Sequence, residues 1–276
     1  MIEIPEAATL ARQARENLTG RTVTAVRTNA SPHRFAFFTA DPADHGRLLG
    51  GRPVTGAAAH GGLVDLDLDG RHLVLGDGAR PRHVPAAVAD RAKHQLRLDL
   101  DDGTALVVSV QMYGGMAVSD GPDGQPDNPY DRAARTAPSP LGDGFDDAHV
   151  DALLAAGEHL ALKAVLATGQ RVPGLGNGVL QDVLWTARLH PRRRVSTLDA
   201  GERATLAAAV RDVLRAMTAA GGRDTEPDLR GDPGGYRTVM CRAALDRGCP
   251  RCGGAVARST FLGGAVYVCP ACQPGP

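Results

Sequence analysis

The sequence predicts an α+β multidomain protein: an N-terminal helix and an antiparallel β-sandwich, then an all-helical domain and a C-terminal cysteine-rich module. Two observations support this prediction. The spacing of apolar residues changes from helical to alternating near residue 21 and returns to helical near residue 147, and four of the five cysteines lie in the last twenty-eight residues. A chain of 276 residues is long enough for two domains, or for one domain and an appended module.

The first element is a helix over residues 6–18. Five apolar residues recur there at a spacing that places them on one helical face, namely Ala7, Leu10, Ala11, Ala14 and Leu18. Gly20 follows them and supplies a C-terminal stop.

Short alternating runs between residues 21 and about 118 predict strands. The clearest runs are 63–68, 73–75, 96–100 and 105–110. Turns at Asp69-Gly70 and Asp102-Gly103 separate neighbouring runs, as in antiparallel hairpins.

The rest of the chain divides by composition. A segment rich in Gly, Pro and Asp is predicted to be a linker, 121–146. Helical spacing then returns over three stretches, 147–168, 178–187 and 198–219. A polar Gly-rich stretch over 221–237 is predicted to be a mobile functional loop. The predicted domains are therefore 1–120, 147–237 and 238–276, with the linker between the first two.

Charge and hydropathy exclude few functions. Thirty-one basic residues balance thirty-one acidic ones, so the chain as a whole is not the basic body typical of a nucleic-acid binder. Positive charge is nevertheless clustered near one turn, at Arg188, Arg192, Arg193 and Arg194. No stretch approaches the roughly eighteen apolar residues that span a bilayer, and no secretion signal is evident. We therefore expect a soluble, cytoplasmic protein without a membrane partner.

Two CxxC motifs near the C-terminus form the strongest local signal. Sixteen residues separate Cys249 and Cys252 from Cys269 and Cys272. This spacing lets two turns present four thiolates tetrahedrally, which predicts one structural Zn²⁺ rather than disulfides. Four thiolate ligands close the coordination sphere, so this metal is expected to stabilise the module without taking part in catalysis. Cys241 is left over as a free thiol.

A glycine-rich run forms a second signal: Val172-Pro-Gly174-Leu-Gly176-Asn177-Gly178, followed by a helix that ends near Leu189-His190-Pro191. Glycines let the backbone approach another chain closely. N–H groups at a helix start can hold a phosphate. The run therefore predicts a phosphate-binding turn with Asn177 beside it, and a plain turn is the ordinary alternative.

Taken together, these motifs resemble the formamidopyrimidine-DNA glycosylase and endonuclease VIII family. Residues 170–191 resemble its helix–two-turn–helix, residues 249–273 look like its zinc finger, and Glu3-Ile-Pro5-Glu6 is similar to its opening. The three matches occur in the family's order and cover essentially the whole chain. The resemblance implies double-stranded DNA with a damaged base as the partner, a monomer, and association with the nucleoid when on DNA.

The resemblance also implies catalytic residues. In that family a damaged base is flipped out, the N-terminal proline amine attacks C1′ of the sugar, and the adjacent glutamate moves protons. Glu3 is the corresponding carboxylate, and Glu6 is a second candidate that equally suits the N-terminus of the first helix. Ile2 stands where the family has proline, so the usual secondary amine for imine chemistry is missing.

Several DNA contacts follow from the same resemblance. Lys163 and Asn177 are expected to hold phosphates. His60 lies in the stretch where the family carries a lysine, and is either a phosphate contact or simply an exposed histidine. Met112 and Tyr113 occupy the place of the loop that fills the gap left by the flipped base. Tyr113 fits a wedge and a core tyrosine equally well.

The predicted zinc hairpin departs from the family at one position. Gly264 replaces an arginine that precedes the third cysteine by five residues. Arg258, on the other strand of the hairpin, is expected to reach the same phosphate.

The resulting prediction is a DNA glycosylase of base excision repair. It releases a damaged base with water activated by Glu3, and its strand-cleaving lyase activity is weak or absent. Three alternatives stay open: a bifunctional enzyme that uses another amine such as that of Met1, a non-enzymatic damage-binding protein, and a zinc-stapled module with no nucleic-acid role. The sequence does not identify the lesion, for which a bulky alkylated purine is one hypothesis.

Overall fold

The structure is a computed structural model that describes residues 1–120 and 128–275. Its helices are α1 (Ile4–Leu18), α2 (His45–Leu49), α3 (Ala86–Ala89), α4 (Pro129–Thr136), α5 (Asp147–Ala156), α6 (Leu162–Ala167), α7 (Asn177–Thr186), α8 (Ala200–Ala219) and α9 (Ala244–Arg247). Its strands are β1 (Val23–Thr28), β2 (Ala36–Phe38), β3 (Gly56–His60), β4 (Leu63–Asp67), β5 (Arg71–Pro85), β6 (Leu96–Leu100), β7 (Thr104–Asp120), β8 (Ala257–Phe261) and β9 (Gly264–Val268). The predicted fold class is confirmed.

Helix α1 packs its apolar face against the sheet, and the five residues predicted to form this face are all buried. The helix begins two residues before the predicted start, at Ile4. Pro5 favours this early start because the first turn of a helix does not need its missing N–H group. The Glu6 carboxylate accepts the backbone N–H of Glu3 at 3.3 Å and fixes the start.

Seven strands of the described N-terminal residues form one sheet, in the order β1-β6-β7-β5-β4-β3 with β2 attached to β7. The pairs along the main path are antiparallel, as predicted, whereas β2 pairs with β7 in parallel. The alternating pattern could not show this direction, since β2 has only three residues. Strands β5 and β7 pair along nearly their whole length, with a break in register between Asp77 and Ala79.

The helical domain has its own core, which includes residues from α5, α6, α7 and α8. The predicted helix over 198–219 is confirmed as α8. The stretch 147–168 contains two helices, α5 and α6, rather than one. The chain turns at Gly157, where a Cβ atom would lie 2.5 Å from Cγ2 of Val165, so a glycine is needed for the close approach.

The predicted linker contains a helix that its composition concealed. Its first residues, 121–127, lie outside the described residues, and α4 follows them. The Asn128 side chain accepts the N–H of Tyr130, and Pro129 follows it, which is a favourable helix start. Arg135 then ties α4 to the sheet through Asp65, at 2.9 Å.

The polar stretch after α8 is anchored to the N-terminal domain. Gln13 of α1 donates to Asp228 at 2.7 Å and accepts the N–H of Leu229 at 2.9 Å. The sequence prediction of a mobile loop did not anticipate these contacts, since their partners lie more than two hundred residues apart. Within residues 1–120 and 128–275, no helix combines the length and apolar character needed to cross a membrane.

Candidate active site and metal centre

A cleft of about 390 Å³ lies where the N-terminus, the β5–β7 pair, the helical domain and the C-terminal hairpin meet. We call it the central cleft. Five of the eight residues predicted to act in catalysis or DNA binding line it, namely Glu3, Met112, Tyr113, Lys163 and Asn177. Glu6, His60 and Arg258 are not among its lining residues.

The Glu3 carboxylate is bound at the N-terminus of α7. Its Oε1 atom accepts the N–H of Gly178 at 3.0 Å, and its Oε2 atom accepts the N–H of Val179 at 2.8 Å. These are the helix-start donors that the sequence analysis expected to hold a phosphate. That expectation was wrong for these two groups, because an internal carboxylate already satisfies them.

The glycines of the 174–178 run make this arrangement possible. A Cβ atom at Gly176 would lie 2.6 Å from the carboxyl carbon of Glu3. A Cβ atom at Gly178 would lie 1.7 Å from Nη1 of Arg223. Gly174 has a φ of +78° and passes so close to the backbone of Gly62 that a side chain could not be accommodated. The run is therefore built for close packing around Glu3.

A buried arginine joins the two candidate catalytic glutamates. Arg223 is only 3% exposed. Its Nε and Nη2 atoms donate to the two Glu6 oxygens at 2.9 and 2.8 Å, and its Nη1 atom lies 3.5 Å from Oε1 of Glu3. Glu6 therefore holds Arg223 and the start of α1, at a distance from the cleft lining. The sequence offered no sign of Arg223, which lies in the polar stretch 221–237.

The charges of this cluster depend on one another. Burial raises the pKa of Glu3, while Arg223 and the N–H groups of Val179 and Gly178 act in the opposite direction. Burial alone would lower the pKa of Arg223, but Glu3 and Glu6 outweigh it and raise that pKa. The ionised form of Glu3 thus depends on Arg223 and on the start of α7.

The N-terminal amine is bound in an ion pair. The Met1 ammonium forms an ion pair with Glu226 at 2.5 Å, and Glu226 also lies 3.7 Å from Arg80. Ile2 is buried in the core and donates its N–H to the carbonyl of Asp77 at 2.6 Å. The residue that replaces proline therefore anchors the chain end to the sheet.

The β5–β7 pair contributes three side chains to the cleft. Met112 and Tyr113 are 66% and 42% exposed, which excludes the alternative of a core tyrosine for Tyr113. Asp77 lines the cleft from the adjacent strand, and Tyr130 of α4 lines it as well. Asp77 and Tyr130 were missed from the sequence, because Asp77 stands in a run that predicts an ordinary turn and Tyr130 in a predicted linker.

Lys163 and Asn177 bind the C-terminal hairpin. The Lys163 Nζ atom donates to the carbonyl of Phe261 at 2.7 Å, and Nδ2 of Asn177 donates to the carbonyl of Ala265 at 3.0 Å. Gly264 lies between them, since its Cβ atom would be 3.1 Å from Nζ of Lys163 and 3.3 Å from Cγ of Asn177. Glycine at position 264, where the resemblance expects an arginine, therefore leaves room for Lys163 and Asn177 to pack against the hairpin.

Arg192, and not Arg258, lies at the tip of the hairpin. Arg258 pairs with Tyr267 three residues before the end of β8, which places it about 10 Å along the strand from Phe261. Arg192 stacks over the Phe261 ring at 4.3 Å and donates to the carbonyl of Thr260 at 2.8 Å. The sequence had marked Arg192 only as part of an arginine cluster.

His60 lies in a polar cluster of the N-terminal domain. Its Nε2 atom is 3.9 Å from Asp65, which also pairs with His72 and Arg135. Burial, followed by the charge of Arg135, lowers the pKa of His60. The lowered pKa disfavours the charged form of His60 that would pair with a phosphate.

Four cysteines form a site suited to a metal ion. Their sulfur atoms all lie within 4.8 Å of one another, with Cys249–Cys272 at 3.8 Å and Cys252–Cys269 at 3.4 Å. Tetrahedral zinc with Zn–S bonds of about 2.3 Å places sulfurs about 3.8 Å apart, so the observed cluster fits. Cys241 lies outside it.

The metal site is attached to helix α7. The Trp185 indole N–H points to Sγ of Cys249 at 3.4 Å, and the Arg251 guanidinium stacks on that indole at 4.1 Å. Gln181 of α7 also donates to the carbonyl of Ala265 and accepts the N–H of Tyr267. The hairpin and the helical domain therefore share one hydrogen-bonded interface.

Comparison with known proteins places this architecture in a family. A sequence model of the formamidopyrimidine-DNA glycosylase N-terminal domain matches residues 1–78. The chain is 32% identical over 286 residues to a protein named formamidopyrimidine-DNA glycosylase from Mycobacterium avium, with 100% of this chain and 99% of the relative covered. The chain belongs to the formamidopyrimidine-DNA glycosylase family.

Solved structures of formamidopyrimidine-DNA glycosylases share the whole fold. The MutM (Fpg) protein of Thermus thermophilus aligns with a TM-score of 0.82 at 26% identity, over 99% of this chain and 100% of that one. The Fpg protein of Lactococcus lactis, in a complex with DNA that contains an abasic site, aligns with a TM-score of 0.84 at 21% identity, with the same coverage. The latter likeness is one of fold alone.

Proposed function

We propose that this chain is a DNA glycosylase that releases a damaged base from double-stranded DNA by hydrolysis. The observation that carries the proposal is the Glu3 carboxylate, which lines the central cleft and is oriented by two backbone N–H groups. Membership of a family whose curated relatives are DNA glycosylases supports the same activity. The Lactococcus lactis relative with abasic-site DNA supports a damaged-DNA partner.

In this proposal Glu3 acts as the general base. Each of its oxygens receives one backbone hydrogen bond and keeps a further lone pair. With a damaged base flipped into the cleft, Glu3 accepts a proton from water while the water oxygen bonds to C1′. The bond from C1′ to the base breaks, its electron pair leaves with the base, and a base released as an anion takes up the proton from Glu3. Met112, which is 66% exposed at the cleft edge, fills the space left in the duplex, and Tyr113 lines the cleft beside the flipped base.

Strand cleavage is proposed to be weak or absent. Imine chemistry needs an unprotonated amine beside C1′. The Met1 amine is engaged by Glu226 at 2.5 Å, and Ile2 provides no secondary amine. Base release without the lyase step is the result expected of this arrangement.

A second candidate function is a bifunctional glycosylase and lyase that uses Lys163. This lysine lines the cleft, and burial, followed by the charge of Arg192, lowers its pKa. Its contact with Phe261 favours a structural role, because the amine is directed to a carbonyl.

DNA is proposed to bind along the hairpin and the arginine turn. Arg192 at the tip and Arg258 on the exposed strand supply positive charge for phosphates. Lys163 and Asn177 act mainly by positioning the hairpin tip at the cleft. His60, which was predicted as a DNA contact, is proposed to act only through its polar cluster.

The four-cysteine site is proposed to hold one structural Zn²⁺. The ion would close the base of the hairpin and hold it against α7. Zinc bound by four thiolates keeps no open position, so Cys249, Cys252, Cys269 and Cys272 would have no direct part in base release.

The test separates base release from strand cleavage. Purified protein is incubated with duplexes that carry single lesions, and strand breaks are scored with and without hot alkali and after borohydride treatment. Breaks that appear only after alkali, without a borohydride-trapped complex, are expected. A trapped complex that maps to Lys163 or Met1 would establish the bifunctional enzyme instead, and salt-sensitive binding without any break would establish a damage-binding protein.

A further inference from the structure

At the break in register between strands β5 and β7, two residues have a backbone conformation that is rare for residues other than glycine. Asp77 has a φ of +57° and Met112 a φ of +66°. At this break the two strands lie too close for a side chain at Gly78, where a Cβ atom would lie 2.0 Å from the carbonyl oxygen of Gln111. Both left-handed residues line the central cleft. Strained residues maintained at a cleft indicate a functional position for their side chains.

Asp77 carries the one charge of the cleft lining that has no close partner among the described residues. The other charged groups of the lining are each bound: Glu3 to α7 and Arg223, Lys163 to the Phe261 carbonyl, and the Met1 ammonium to Glu226. No hydrogen bond or ion pair of the Asp77 carboxylate occurs in the described parts of the chain. Burial raises the pKa of Asp77, and the N-terminal ammonium lowers it only in part.

Two phenol rings accompany this carboxylate. Tyr113 and Tyr130 both line the cleft. Burial, and after it the negative charge of Asp77, raises the pKa of each phenol. A carboxylate beside two aromatic rings is an arrangement that binds a flat cation, through a counter-ion contact and through the negative ring faces.

We propose that the central cleft selects a positively charged damaged base, of the N-alkylated purinium class, with Asp77 as its counter-ion. This inference rests on the proposed glycosylase function. A flat ring with a delocalised positive charge provides the partner that Asp77 lacks, and it fits beside Tyr113 and Tyr130.

The chemistry of such a base also suits the residues present. When the bond from C1′ to a purinium nitrogen breaks, its electron pair neutralises the ring, so the base leaves as a neutral molecule without a proton donor. Water supplies the oxygen that bonds to C1′, and its proton passes to Glu3. Neither an N-terminal proline amine nor a further acid is needed for this release.

The test compares a cationic lesion with a neutral one. Single-turnover release of 7-methylguanine and of 8-oxoguanine is measured for the wild type and Asp77→Asn, since asparagine also tolerates the left-handed conformation. Glu16→Gln is the matched control, because it removes one negative charge from an exposed ion pair with Arg12, outside the cleft lining. We expect Asp77→Asn to slow release of the cationic base by about tenfold or more while the neutral base changes little.

Equal slowing of both bases in Asp77→Asn, or release of the neutral base alone by the wild type, would overturn the proposal. Binding to a duplex with a 2′-fluorinated 7-methylguanine nucleotide, which resists hydrolysis, gives a second readout. If the wild type releases no base at all, the proposed glycosylase function fails. Affinity for the 2′-fluorinated duplex then still tests whether Asp77 recognises the cationic base. A preference for the cationic duplex that is lost in Asp77→Asn supports it, and equal binding of cationic and unmodified duplexes overturns it.

Discussion

Arg223 is the residue on which the electrostatics of the cleft depend. It is buried with two carboxylates, one of which lines the cleft while the other does not. Removal of one partner from a buried charged group leaves the remaining charge without compensation and costs about 3–5 kcal/mol. The guanidinium therefore has a structural role and an electrostatic one. The pH dependence of base release distinguishes these two roles.

Replacing Arg223 is expected to change the pH dependence of base release. Glu3 must be ionised to accept a proton, so the rate falls as pH drops through the pKa of Glu3. Because Arg223 lowers that pKa, Arg223→Met should move the acidic limb to higher pH by about one unit or more, and Arg223→Lys should move it less. Single-turnover rates measured across pH check this. A uniform loss of rate with an unmoved limb would show that Arg223 is only structural.

The packing of the C-terminal hairpin depends on Gly264. Its position is filled on both sides by Lys163 and Asn177. Restoring an arginine there places a second cation near Nζ of Lys163, so Gly264→Arg should weaken DNA binding despite the added charge. The double variant Gly264→Arg/Lys163→Met removes the clash and should recover part of the affinity. Fluorescence anisotropy with a lesion duplex measures both, and tighter binding by Gly264→Arg alone would contradict the account.

Zinc removal is expected to affect the hairpin before the rest of the chain. The hairpin has a small core of its own, in which two of the four cysteines take part as buried members. Chelation should therefore release β8 and β9 from α7, abolish DNA binding and leave the N-terminal sheet folded. Metal analysis, far-ultraviolet circular dichroism and a binding assay check this, with added Zn²⁺ as the control. Unchanged binding by the metal-free protein would contradict it.

The features of the fold that the sequence predicted are those that depend on neighbours along the chain. The CxxC spacing predicted the cysteine cluster, and the apolar face of residues 6–18 predicted α1 and its packing. The features that it missed depend on contacts between distant segments. Glu3 meets Val179 across 176 residues and Glu6 meets Arg223 across 217. Neither the periodicity of apolar residues nor a local motif indicates a contact between segments so far apart in sequence.

The same distinction explains why two of the expected phosphate donors are already occupied. A glycine-rich helix start offers free N–H groups when only its own segment is considered. In the folded chain the N-terminus reaches that helix, and Glu3 takes the donors at Gly178 and Val179. The whole-molecule arrangement thus brings a residue from one end of the chain to the helix at the centre of the second domain.

Glu3 is proposed to perform base release, whereas Glu6 only supports the structure. The direct measurement is single-turnover base release by Glu3→Gln and Glu6→Gln, which remove equal charge from the same arginine but differ in access to the cleft. Because the side-chain amide introduced by Glu3→Gln would present its N–H₂ group to a backbone N–H, melting temperature and DNA affinity are measured in parallel. Glu3→Gln should lose about 100-fold or more in rate while still binding DNA, and Glu6→Gln should lose stability but keep most of its rate. Equal loss of rate in both variants, in step with their stability, would contradict the account.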